Sequence, residues 1–190
     1  MIRLIAEAWM GLTAVMRALS FRADWDQRVN LTAAGLVRSF SAIFLTLPVF
    51  WFTLQGAVRL SAELSPGANF TYSPGEFLLD LVRIWLVFPV LAVFLTRLAG
   101  VKHRFVHWIV LHNWAVMFLF LVQALMFAFY LSGIMNAQAA ATVYTLGYFM
   151  LRIFVHVRVA VSALGLPLGA GIAMGLIPVF IDFMIIQLLP

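Results

Sequence analysis

The residues able to do chemistry in this chain sit inside apolar runs. His112 and Asn113 stand in "HWIVLHNWAV", which begins at His107, and Gln123 shares a helical stripe with His112. Thr145, Tyr148, Arg152 and His156 recur at i, i+3, i+7 and i+11, which makes them a second stripe. Asp80, Arg83 and Asp182 are three further charges in apolar surroundings. Ionisable groups in a lipid-spanning segment are costly, so each is a functional candidate by default. The competing reading is an interhelical hydrogen bond worth roughly 0.6–2 kcal/mol. Two histidines at matched depth on neighbouring helices could ligate haem, relay protons, or tie helices together.

Other chemistries find no support. No H-E-x-x-H pair and no clustered carboxylates occur, so no metal ligand set is expected. There is no G-x-S-x-G nucleophile signature and no phosphate-binding glycine loop, and no catalytic residue is assigned. The absence of cysteine removes disulfides, thiolate nucleophiles and thiolate metal sites. Haem has one further obstacle, because His112 is surrounded by Trp, Leu, Val and Met rather than small residues. No cofactor is therefore expected.

The elements that must position these residues follow from composition. The chain has 190 residues, 65% apolar and only 10% charged, against about 45–50% and about 25% in soluble domains. That departure predicts an all-α integral membrane protein with five transmembrane helices, over about 34–60, 77–98, 105–131, 139–161 and 167–189. Pro48, Pro89 and Pro178 fall inside spans and read as kinks. The longest loop is 61–76, and no internal repeat divides the spans into halves. The net charge of +5 comes from arginines that flank spans, which fits anionic lipid headgroups and offers no groove for nucleic acid.

Arg3, Arg17, Arg22, Arg28 and Arg38 precede or open the first span, and Arg97, Lys102 and Arg104 fill the next loop on that side. This bias predicts a cytoplasmic N-terminus and an exported C-terminus in a bacterial inner membrane. Residues 1–33 form a separate segment. Arg3, Glu7 and Arg17 share one face of "MIRLIAEAWMGLTAVMRALS", which predicts an amphipathic helix lying on the cytoplasmic leaflet. Glu7 interrupts the run that a cleaved leader would need. Asp24 or Asp26 is expected to cap a following helix.

Within the 34–190 domain, His107 and Trp108 belong to the interfacial belt, and His112 lies about 7 Å deeper at 1.5 Å per residue. His156 reaches a comparable depth from the other direction, so His112, Asn113, Gln123, Tyr148, Arg152 and His156 are expected to form one polar cluster. Asp182 falls toward the opposite end of the membrane, beside Asp80 and Arg83. Arg83 has two candidate partners there, Asp182 across helices and Asp80 one turn away. Gly171, Gly175 and Pro178 share the stripe of Asp182, and the two glycines make a close-packing face.

Two passages, "GLVRSFSAIFLTLPVF" in the first span and "LHNWAVMFLF" in the third, carry a likeness. With the cytoplasmic N-terminal segment and five closely spaced spans, the chain resembles the Yip1-type membrane proteins in their small bacterial form. The resemblance implies a five-helix inner-membrane fold and transfers no catalytic residue. The glycine- and proline-containing segment that precedes the first span in eukaryotic members is absent, so a GTPase partner is not carried over. The reading favoured by the sequence is a non-enzymatic membrane organiser or partner-binding scaffold. It would contact membrane lipids, and membrane-protein partners or further copies of itself. The alternative is a small transporter or proton-conducting subunit, and the third is a haem-b carrier through His112 and His156.

Overall fold

The computed structural model describes residues 2–67 and 72–188. Its described elements are all helical. Five helical stretches, Ala33–Leu64, Pro74–Leu98, Lys102–Leu131, Ala137–Leu164 and Leu168–Leu188, are long and apolar enough to cross a membrane. The chain is thus a multi-pass membrane protein in architecture. The loop positions 68–71 and the expected end of the fifth span at residue 189 lie outside the described residues.

Helix α1 covers Ile2–Leu19, and a short 3₁₀ turn at Ala23–Arg28 follows it. The first span is broken at Phe40–Ser41 into α2 (Ala33–Ser39) and α3 (Ala42–Leu64). The second contains α4 (Pro74–Val82), a π-helical turn at Arg83–Val87, and α5 (Phe88–Leu98). The third is the unbroken α6 (Phe105–Leu131). The fourth contains α7 (Ala137–Thr142), a second π-helical turn at Val143–Tyr148, and α8 (Phe149–Leu164); the fifth is α9 (Leu168–Leu188).

Local chemistry explains these boundaries. Ser73 and Glu76 form a reciprocal capping box at the start of α4, with Pro74 at the first helical position. Pro89 cannot donate a backbone N–H and crowds the turn before it, which is where the first π turn opens. Gly165, with φ of +64°, ends α8 in the left-handed conformation that glycine tolerates best. Asp24 and Asp26 do not cap the next long helix. Thr32 does, accepting from Gly35 N–H, while Asn30 receives both the N–H and the hydroxyl of Thr32. Asp24 instead pairs with Arg17 at the end of α1.

Helix α6 is the hub. It packs against α1, α2, α3, α5 and α8, and most of its residues from Trp108 to Met117 are nearly inaccessible. An all-round apolar helix of this kind belongs in the middle of a bundle. Trp108 accordingly departs from the expected interfacial belt: it is 1% exposed and packs edge-on against Phe88 at 5.1 Å. Helix α1 lays Ala8, Ala14, Val15 and Ala18 against the bundle. Its Gly11 lies so close to Trp114 that a Cβ would stand 2.2 Å from Cδ2 of the indole. The C-terminal end of α1 is clasped by Arg158, which donates to the Ala18 carbonyl at 2.8 Å and lies over the Phe21 ring. A cation at a helix C-terminus also opposes the helix dipole favourably.

Close approach of α8 and α9 depends on glycine. A Cβ on Gly175 would stand 2.9 Å from the His156 carbonyl oxygen, and one on Gly171 would stand 2.9 Å from Val161 Cγ2. Those bare surfaces let the fifth span approach the backbone of the fourth. Asp182, two turns beyond Gly175, is thereby carried within reach of Arg152.

Candidate functional site

One cavity of about 250 Å³ lies among α3, the second span, α6, the fourth span and α9. Tyr72, before α4, lines one end of it, and His112 and His156 line the other. Asp80, Arg83, Gln123, Tyr144, Tyr148, Arg152, Pro178 and Asp182 all face it. Both π-helical turns contribute, through Arg83 and through Tyr144 and Tyr148. Such turns are rare and concentrate at functional sites. Apolar groups, including Phe50, Leu54, Ile84, Leu91 and Ile186, complete the walls.

The charges form a chain. Arg83 donates twice to Asp80 Oδ1, at 3.0 Å from Nε and 2.8 Å from Nη2. Its Nη1 donates to Asp182 Oδ1, and Arg152 Nη2 donates to Asp182 Oδ2. Arg83 therefore takes both of its expected partners together, which its planar fork permits. Tyr72 donates to the other oxygen of Asp80. Burial, followed by that carboxylate, pushes the Tyr72 phenol above its usual range, so it stays a donor. The two Asp and two Arg together carry no net charge.

Asp182 is not separated from the histidine stripe, as its place in the sequence suggested. Arg152 lies near the middle of its span, and its long side chain bridges the remaining distance along the membrane normal. One turn further, His156 donates from Nδ1 to the Arg152 carbonyl at 2.8 Å, leaving Nε2 to face other partners. The His112 and His156 ring centroids are 5.2 Å apart, edge to face. His112 stacks flat on Phe88 at 3.3 Å, is 5% exposed, and makes no hydrogen bond to another described residue.

This geometry answers the haem question. Bis-imidazole ligation needs an iron and a macrocycle between the two rings. Here the imidazoles meet each other directly and the other face of His112 is occupied by Phe88, so the residues do not fit that group. No group of three or more metal-ligating side chains is present among the described residues.

Comparison of the chain with family models, with curated proteins and with solved structures finds no match. Its site must therefore be read from its own residues.

Of the six residues expected in the polar cluster, the structure brings five together: His112, Gln123, Tyr148, Arg152 and His156. Asn113 is elsewhere. It donates to the Ser39 hydroxyl at 2.9 Å, and both are 1% exposed, in a buried contact between α6 and the end of α2. Thr145 also leaves its predicted stripe, donating back to the Ala141 carbonyl from an exposed position. The π turn shifts the helical register, so Tyr144 takes the place beside Tyr148, with rings stacked at 5.6 Å. Tyr72, Tyr144 and Phe88 were not singled out in the sequence. Tyr72 lies in the loop before the second span, and the two aromatic rings have the composition of ordinary core.

Proposed function

We propose that this is a non-enzymatic membrane protein that binds a small polar ligand in the cavity, as a ligand-binding subunit or carrier. One observation carries the reading. The ionisable side chains of four spans converge on an open volume instead of meeting across a dry helix interface. Helix ties need no such volume. A pocket with apolar walls and a few convergent polar groups is the usual form of a ligand site. His112, held by stacking alone, leaves its ring nitrogens for something other than the protein.

The test is native mass spectrometry of the protein released from mild detergent. The wild type should carry a bound small molecule that Arg152→Gln loses. Identical spectra from both would return the charged cluster to a purely structural role. Movement of the ligand is decided separately by solute and proton flux into liposomes, comparing wild type with His156→Ala and Asp182→Asn.

The scaffold reading keeps a specific support of its own in the Asn113–Ser39 bond and the glycine contacts, which serve helix association alone. Membership of the Yip1-type family, a bacterial inner membrane and a cytoplasmic N-terminus belong to the same proposal. The first rests on the two quoted passages, and the other two rest on the arginine bias with that likeness. Contacts with lipids, other membrane proteins or further copies of the chain are part of it too.

A further inference from the structure

Asp182 is held as a ligand would be. Each of its carboxylate oxygens takes one guanidinium, Oδ1 from Arg83 and Oδ2 from Arg152. Arg83 has a second anchor in Asp80 and would keep its place without Asp182. Arg152 has no other side-chain partner among the described residues, and about a quarter of its side chain is accessible. The pair of guanidiniums is thus a preformed carboxylate seat whose present occupant is the protein's own side chain.

Charge balance restricts what can enter. The four charges cancel, so an added anion would leave a net buried charge, which a low-dielectric site penalises heavily. A neutral acid escapes this penalty. Its carboxyl proton can pass to Asp182 while its carboxylate takes the Arg152 side of the seat. One ligand O–H bond breaks and one forms on Asp182, so the number of charges in the cavity is unchanged. The volume of about 250 Å³ suits a small acid or the head of a larger one.

We propose, resting on the ligand-binding reading above, that the ligand is a carboxylic acid that exchanges its proton with Asp182 and takes over Arg152. The titratable and charged groups facing this exchange are Asp80 and Arg83 from the second span. The fourth span adds Tyr144, Tyr148, Arg152 and His156, α6 adds His112, and Tyr72 stands at the far end. Helix α3 lines the cavity with Phe50, Thr53, Leu54 and Ala57, none of them titratable there.

The experiment uses the full chain in lipid nanodiscs, with butyrate, dodecanoate and their primary amides as probes. Calorimetric titration between about pH 6 and about pH 8 should show wild-type affinity for either acid falling about tenfold per pH unit. In a weak buffer, binding should take up about one proton per ligand from solution. Asp182→Asn should bind the anion with no pH slope and more tightly than wild type at the alkaline end. Arg152→Gln should lose at least about tenfold. Dodecanoate tighter than butyrate points to a membrane-derived acyl chain, and equal affinity points to a water-soluble acid; either supports the seat.

Acid and amide binding alike, or binding by the wild type without proton uptake, overturns the exchange and leaves the binding reading standing. Failure of every probe, together with a ligand-free native spectrum, overturns both. The wild-type proton count keeps the test decisive even where Asp182→Asn does not fold.

Discussion

His112 and Asn113 are adjacent in sequence and point to different sides of the same helix, about 100° apart. Asn113 faces α2 and bonds there to Ser39 at 2.9 Å, with both side chains 1% exposed. His112 faces the cavity, is equally hidden from outside, and has an aromatic neighbour on each side but no hydrogen bond to a described residue. The first side is what an interhelical tie looks like when it is complete. The second leaves polar capacity unused, which a protein built only for helix association would gain nothing by keeping.

The largest blow to that contrast comes from the charge chain. Asp182→Leu removes the shared acceptor of Arg83 and Arg152, and Arg152 is then a partly buried cation without a counter-ion. Removing one partner of a buried pair costs about 3–5 kcal/mol. Thermal unfolding in detergent should show a loss of that order. The double variant Asp182→Leu, Arg152→Leu should recover most of it, because Arg83 keeps Asp80. A double variant no more stable than the single one would mean that the chain is not a charge-balanced unit.

How much of this was legible in the sequence follows from the same residues. The five spans were, because each is a long apolar run with charges only near its ends or in a stripe. The Arg83–Asp182 pair was also legible, since two opposite charges at similar depth in lipid have few alternatives. Asn113 was misplaced into the cluster because its residue type says nothing about which neighbour its face meets. Thr145 and Tyr144 exchanged roles because a π turn adds to the register that ideal helical spacing assumes, and nothing at Val143–Tyr148 announces it. Trp108 moved from the lipid interface to the core because tryptophan is equally at home in both.

A smaller effect separates the two sides directly. Asn113→Ala leaves the Ser39 hydroxyl without its donor and should cost about 1–2 kcal/mol, with ligand binding unchanged. His112→Phe preserves the stack on Phe88, so its stability cost should be smaller. The loss should appear instead in the ligand signal of the native spectrum. Equal behaviour of the two variants in both measurements would erase the distinction between tie and site.

The smallest effect lies outside the spans and tests how α1 is held. The Arg17 guanidinium beside Asp24 lowers that carboxyl below its ordinary value of 3.8. A carboxyl depressed in the folded state stabilises the fold above its unfolded pKa and loses that contribution as pH falls through the folded value. The window therefore lies below about pH 4, and the contribution is small because Asp24 is solvated and screened. Asp24→Asn should remove the acid-side slope that this group adds to the unfolding temperature and leave the neutral-pH behaviour of the cavity untouched. Arg158 would still clasp the Ala18 carbonyl, so α1 should stay docked. Increased hydrogen exchange over Ile2–Leu19 in that variant would instead show that the surface pair, and not the packing of Ala14, Val15 and Ala18, keeps the helix on the bundle.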